Sequence, residues 1–215
     1  MTVQNQTIHV YESIKKRIDE GAYSPAESLR EAALAEEYGA SRNTIKKALL
    51  MLENDAYVTI EPNKGARVRS YSKTEVMEFL QLREVLEGFV IRLATPVISG
   101  EELDRMKAML EKMEALRAAG DLLGYSEMNR AFHAVIYGAC PNRMTVDILV
   151  KLKNQMKKYN SKSILIPGRS DHSFEEHRAI YEAMRRRDAE EADALMRRHI
   201  ANVRDVYDQY YGILF

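Results

Sequence analysis

The stretch Leu34-Ala35-Glu36-Glu37-Tyr38-Gly39-Ala40-Ser41-Arg42-Asn43-Thr44-Ile45-Lys46-Lys47-Ala48-Leu49 decides the fold. Ala35 is small where one helix must let another cross closely. Gly39 can take the positive backbone angle of a tight turn, and Ile45 plugs the second helix into a core. Ser41 is a good helix N-cap, and Ile45, Ala48, Leu49 and Leu52 then recur on one stripe. The pattern is that of a helix-turn-helix. Its second helix carries Ser41, Arg42, Asn43, Thr44, Lys46 and Lys47, with no acidic residue from Ser41 to Leu52. A helix N-terminus favours phosphate, Arg can bridge the two acceptors of guanine, Asn can bridge adenine, and Thr can meet a thymine methyl. Such a face is equipped to enter a major groove.

Working outward, an amphipathic helix is predicted over Thr7 to Glu20, with Ile8, Tyr11, Ile14 and Ile18 on one face, stopping at Gly21. A second helical pattern opens near Leu29 and carries Leu34 and Tyr38 to the break at Gly39. Beyond the third helix the period changes. Tyr57 to Ile60 reads as a strand, Glu61 to Gly65 as a turn containing Asn63, and Ala66 to Arg69 as a return strand. This hairpin resembles the wing of a winged helix, with Lys64, Gly65, Arg67 and Arg69 placed to bring cations beside a neighbouring groove. Arg30 is a further cation ahead of the motif. The fold class is mainly α. Residues 1–70 form a winged helix-turn-helix DNA-binding domain, 71–73 a linker, and 74–215 an all-helical bundle.

In that bundle, helices are predicted near Thr74–Thr95, Ser99–Ala118, Leu122–Gly138, Arg143–Tyr159, Ser173–Arg187 and Ala189–Tyr210, separated by Pro and Gly breaks. Ser173 with Glu176 and Asp188 with Glu191 have the spacing of capping boxes. The 215 residues are 46% hydrophobic and 30% charged with ten Gly and five Pro, which excludes collagen-like and disordered chains. Thirty-two basic residues balance 32 acidic ones, so a nucleic-acid partner has to be read from local charge. No apolar run is long enough to span a bilayer, the amino terminus lacks a secretory pattern, and a single cysteine, Cys140, permits no internal disulfide. The expectation is a cytoplasmic protein with no membrane partner.

Three histidines, His133, His177 and His199, fall on predicted helices with apolar residues on their own sides, and Asn129 shares a face with His133. Three converging imidazoles with a side-chain oxygen make a site for a divalent metal such as zinc, nickel or manganese; the same spacing also suits three core histidines. Arg83, among Leu82, Val85, Leu86 and Phe89, can clamp a carboxylate in two parallel hydrogen bonds. Tyr125 and Tyr181 are candidate pocket hydroxyls. Met106, Met109 and Met113 read as core, Cys140 as a small buried hydrophobe, and the arginine clusters 185–187 and 197–198 as structural.

Ser28-Leu29-Arg30-Glu31, Leu34-Ala35, Gly39-Ala40-Ser41-Arg42, Ala48-Leu49, Leu52 and Gly65-Ala66-Arg67-Val68 resemble the GntR family of bacterial transcription regulators. The resemblance implies operator contacts for Ser41, Arg42, Asn43, Thr44, Lys46 and Gly65. Ala32 stands where many members have Arg, and Lys46 replaces a commoner Arg, which changes the expected operator because lysine offers a point charge in place of a fork. Leu82 to Glu87, Phe132-His133, Glu176 to Ile180 and Arg198-His199 resemble the FCD effector domain of the FadR-like branch. That resemblance implies a metal held by an Asp and three His that helps bind a small carboxylate. Here Asn129 occupies the Asp position and offers a neutral amide oxygen.

The function expected is a dimeric, ligand-responsive transcription regulator, a repressor on a palindromic double-stranded operator, controlled by a small organic acid. Two other readings stay open. One is a metal-dependent enzyme with a tethered winged-helix domain, although no general base or nucleophile is paired with the histidines. The other is a winged-helix module for protein partners.

Overall fold

The structure, a computed structural model, describes residues 3–62, 64–156 and 162–214, and divides into two compact units, Met1–Ser72 and Lys73–Phe215.

The first unit contains α1 (Val3–Asp19), β1 (Ser28–Leu29), α2 (Glu31–Glu37), α3 (Arg42–Asn54), β2 (Val58–Glu61) and β3 (Gly65–Val68). Val10, Tyr11, Ile14 and Ile18 of α1 pack with Leu34, Ile45, Ala48, Leu49 and Leu52. Ile8, expected on that face, lies to its side and is 45% exposed, because the buried stripe runs through Val10 and Ile14. Gly39 takes φ +55° at the turn, and Ile45 is fully buried, as the helix-turn-helix spacing demands. The strands are ordered β1-β3-β2, all antiparallel, with Leu29 opposite Ala66 and Val58 opposite Val68.

The sequence pattern carried the second helix back to Leu29. The chain there is instead extended: Ser28 and Leu29 pair with β3, and the helix begins at Glu31. Two residues are too short a run to show a strand period. The crossing also explains Gly65, which sits at φ +98° where an added Cβ would stand 2.4 Å from the Leu29 carbonyl oxygen. Asn63 of the predicted turn lies outside the described residues.

The second unit contains α4 (Lys73–Ala94), α5 (Gly100–Ala118), α6 (Leu122–Ala139), α7 (Arg143–Gln155), a 3-10 turn (Lys162–Leu165), α8 (Arg169–Arg185) and α9 (Ala189–Leu214). The predicted extension of α7 to Tyr159 lies outside the described residues. Residue types at the starts explain them. Ser99 and Glu102 form a reciprocal capping box, and the side chains of Asp121, Asn142 and Asp188 accept first-turn amides. Ser173 and Glu176 are not a cap: α8 starts four residues earlier, after Gly168 at φ +78°, so both lie inside the helix and turn inward. The long helices α4 and α9 run antiparallel, as the succession Lys73–Asp208, Glu84–Arg204 and Arg92–Glu190 records. Gly88 permits the close approach, since a Cβ there would collide with Asp193 and Arg197. Met106, Met113 and Cys140 are fully buried in this core. Among the described residues no helix is long and apolar enough to cross a membrane.

Gly65→Ala adds a side chain where both φ and space forbid it. It should destabilise the first unit by about 1–3 kcal/mol, read as a lower unfolding midpoint in urea. An unchanged midpoint would show that β1 can shift to admit the methyl group.

Candidate DNA-reading face and buried histidine chamber

On α3 the Ser41 hydroxyl accepts the Thr44 amide at 3.1 Å, leaving other first-turn amides toward solvent. Ser41, Arg42, Asn43 and Lys46 are exposed. Thr44 is only 2% exposed, and its hydroxyl lies 2.8 Å from that of Ser41, so its side chain serves the cap and core in this conformation and does not face outward. A groove of about 970 Å³ runs between α3 and the hairpin; its lining includes Arg30, Arg42, Lys46, Lys64 and Arg67 against Glu31 and Glu61. Five cations against two carboxylates make it locally basic in a chain of zero net charge. Arg67 is already engaged, donating to both Glu61 oxygens and to the Ala26 carbonyl, so it braces the wing. Arg69 stacks over Tyr71. Gly65 is buried against β1, leaving Lys64 as the exposed described cation at the wing tip.

In the second unit, α6, α8 and α9 bring His133, His177 and His199 together, each at most 3% exposed. Their ligating nitrogens all lie within 4.8 Å of one another. Each ring is fixed through Nδ1. His177 donates to the Ser173 carbonyl at 2.6 Å, and His199 meets Glu176 Oε2 at 2.6 Å. Glu87 Oε2 stands 3.0 Å from His133 Nδ1, at ion-pair distance without the alignment of a hydrogen bond. A carbonyl or carboxylate at Nδ1 selects the tautomer with its proton there and leaves the Nε2 lone pair for other use. The Nε2 atoms of His133 and His177 are 3.2 Å apart. Two nitrogens about 2.0–2.1 Å from one ion would be separated by roughly 3 Å.

Burial drives His133 down to about 4 despite Glu87, lowers His177 well below its ordinary value with help from the other two imidazoles, and lowers His199 against the pull of Glu176. The neutral ring is the form able to ligate a cation. Glu87 is fully buried; burial opposes its charge, but Arg83, Lys153 and His133 hold its carboxyl well below the usual range. Tyr137 donates to it at 2.8 Å. Glu176 likewise is held at about 2 in spite of burial, by His199 and Arg169.

A cavity of about 20 Å³ adjoins His199, though not His133 or His177, and its lining also includes Arg83, Ser126, Asn129, Arg169 and Ser173. That is room for one ion or water and not for an organic acid. Asn129 Oδ1 is buried there without a hydrogen-bond partner among the described residues, and so are Nε and Nη1 of Arg169. Arg83 lines the same space but its Nε is committed to Glu87. Tyr125 is fully buried with near neighbours Ser173 and Arg169, and burial raises its hydroxyl to about 12. Tyr181 is not among the residues lining the cavity; its charged neighbours include Asp104 and Glu111 of α5. The sequence reading missed Glu87, Glu176 and Arg169. The one available signal for Arg169 was its place at a helix start directly after Gly168.

Two family profiles match the chain: "FCD domain" over residues 78–202 and "Bacterial regulatory proteins, gntR family" over residues 6–68. The chain belongs to the GntR family and carries an FCD domain. It is 27% identical over 199 residues to the HTH-type transcriptional repressor GlaR of Escherichia coli, covering 88% of this chain and 90% of that one. It is 25% identical over 215 residues to the HTH-type transcriptional regulator LutR of Bacillus subtilis, covering 90% and 97%. The solved structure of Escherichia coli McbR/YncC superposes with a TM-score of 0.73 at 22% identity, over 95% of this chain and 98% of that one. A GntR regulator from Rhodococcus gives 0.70 at 20% identity, over 96% and 99%. This GntR chain is a transcription regulator, and its relatives lend the enzyme reading no support.

Arg42→Ala should weaken binding to a selected operator by about 1–3 kcal/mol, on the order of 5- to 150-fold, with an unchanged melting temperature, since it removes an exposed fork without touching the core. Fluorescence anisotropy showing equal losses on operator and random duplexes would assign it to phosphate; no loss on either would remove it from the interface.

Proposed function

We propose that this GntR chain is a cytoplasmic repressor that binds a palindromic operator as a dimer and is controlled by a small carboxylate at a divalent-metal site. The observation that carries the reading is the buried chamber. Three neutral imidazoles have their Nδ1 atoms turned to separate acceptors, near an amide oxygen and two guanidinium nitrogens that lack partners among the described residues. Unsatisfied buried groups of that kind cost stability unless a ligand answers them.

The donor set fits zinc, nickel or manganese: His133, His177 and His199 would hold the ion and Asn129 would complete the protein ligands. A bound ion would supply a positive centre for one carboxylate oxygen. Arg169 would take the other through its Nη1, replacing Arg83, whose guanidinium is tied to Glu87. Because the cavity measures about 20 Å³, admission of an acid requires the lining to move. Its lining includes Ser163 and Ile164 of the 3-10 turn, joining acid entry to a backbone displacement. For DNA, two copies of α3 would read half-sites about one helical turn apart, each with Arg42, Asn43 and Lys46 outward.

The chelator-stripped chain, dialysed against zinc, nickel or manganese, should retain one ion per chain by elemental mass spectrometry. His177→Ala should lose it, and Asn129→Asp should hold it at least about 10-fold tighter by supplying a charged ligand. Selection from random duplexes should return an inverted repeat. No retained ion in any variant would reduce the histidines to core residues, and enrichment of an unrepeated site would end the dimeric reading of DNA.

A further inference from the structure

Helix α3 carries one acidic residue, Glu53, and it stands where an acid is least expected. Eleven residues at about 100° each bring a helix round to within about 20° of its starting direction. Glu53 therefore shares a stripe with Arg42 and Lys46, about 16 Å beyond Arg42 along the axis. A carboxylate facing outward on that line would repel the phosphates that the two cations attract. Glu53 is instead half-buried, and its Oε1 accepts the backbone amide of Ile60 at 2.8 Å.

Ile60 belongs to β2, the outer strand of the sheet, whose partner is β3. The carbonyls of Tyr57 and Glu61 accept the amides of Arg69 and Lys64, so by the alternation of an antiparallel ladder the Ile60 amide faces the open edge. Nearer its base, β2 is tied to α3 by the Tyr57 amide on the Leu52 carbonyl at 2.8 Å. Ile60 lies three residues further on, about 10 Å closer to the tip of the wing. With the Glu53 bond the hairpin is held to α3 at two points along its length. Arg67, through Glu61 and the Ala26 carbonyl, joins the hairpin to the β1 side of the sheet, whereas Glu53 joins it to the recognition helix. Ile60, Lys46 and Lys64 line one groove, and Lys64 follows Ile60 by four residues.

We infer that Glu53 positions the wing against the recognition helix, so that Lys64 and Arg42 meet one duplex together. It acts through the Ile60 amide and touches no DNA itself. The inference rests on the DNA reading of α3 and the wing given above. A carboxylate suits the task because a charged acceptor binds an amide more strongly than a neutral one.

Fluorescence anisotropy on the selected operator across a salt series tests this, using wild type, Glu53→Gln and Glu53→Ala, each with and without Lys64→Ala. Gln and Ala remove the same charge and so share any gain in phosphate attraction; they differ in the acceptor oxygen that Gln retains. Glu53→Gln should bind at least as tightly as wild type. Glu53→Ala should bind about 5-fold more weakly than Glu53→Gln, with a salt slope lower by about 1, the loss of one phosphate contact. Adding Lys64→Ala should weaken Glu53→Gln by a similar factor and leave Glu53→Ala nearly unchanged, a coupling that a general loss of stability does not produce. Exchange of the Ile60 amide, followed by NMR, should be slow in wild type and Glu53→Gln and faster in Glu53→Ala. If Glu53→Ala melts too low to assay, Glu53→Asp, which keeps the charge and withdraws the oxygen by one methylene, should show the same losses against wild type. Equal affinities and slopes for the Gln and Ala variants, or equal losses from Lys64→Ala in both, overturn the positioning role and leave the DNA reading standing. Lys64→Ala without effect on the wild type's affinity or slope takes the wing off the duplex, and the positioning role falls with it.

Discussion

The second unit is built around a burial that a helical bundle ordinarily avoids. Three imidazoles, the carboxylates of Glu87 and Glu176, and the guanidiniums of Arg83 and Arg169 are all withdrawn from water. Ions in such a place survive only if paired and hydrogen-bonded, and removal of one partner strands the other. The pairing is therefore dense: Glu87 collects Arg83, His133, Tyr137 and Lys153, and Glu176 collects Arg169, His199 and Asn202. Apart from Arg83–Glu87 within α4 and Arg169–Glu176 within α8, each contact reaches across helices, so the polar centre dictates how α4, α6, α7, α8 and α9 are set against one another.

That arrangement gives the site its leverage. A ligand that alters His133, His177 or His199 changes what Glu87 and Glu176 must balance, and those two carboxylates sit on the first helix of the unit and on α8. Helix α4 has the chamber on one side, and it follows directly on the chain from the winged domain. A ligand shifts an equilibrium only by its differential affinity for the two states, and the tight cavity supplies such a difference, since an acid requires a lining other than the one described. In the first unit the corresponding constraint is geometric: Gly39 and Gly65 fix the turn and the wing, and Ser41 starts the helix that presents Arg42, Asn43 and Lys46.

Much of this was legible in the sequence where the cause is local. The turn at Gly39, the cap at Ser41 and the stripe through Ile45 act within a few residues, and the bundle helices follow from 3.6-residue periodicity and Pro or Gly breaks. The histidines were legible as inward-facing because their own helix faces are apolar. Glu87, Glu176 and Arg169 were not, because a charged residue on a helix is ordinarily solvated; Glu87 and Glu176 are turned inward by partners on other helices, and Arg169 by Glu176 seven residues on. His133 lies 46 residues beyond Glu87, and His199 lies 23 beyond Glu176. The same limit explains Ser173, which has the spacing of a cap and the position of a hydrogen-bond acceptor for His177. The two-residue strand β1 is defined by β3, nearly 40 residues later, and by nothing in its own period.

The most direct test of the account is the affinity of the full chain for its selected operator at fixed salt, measured by anisotropy for chelator-stripped protein, ion-loaded protein, and ion-loaded protein with small carboxylates. Coupling between the chamber and the DNA face predicts dissociation constants that differ by about 5- to 150-fold between states, with the difference reduced in Arg169→Lys, which keeps a cation beside Glu176 but lacks the guanidinium. One dissociation constant shared by every state, with ion and acid demonstrably bound, would contradict it.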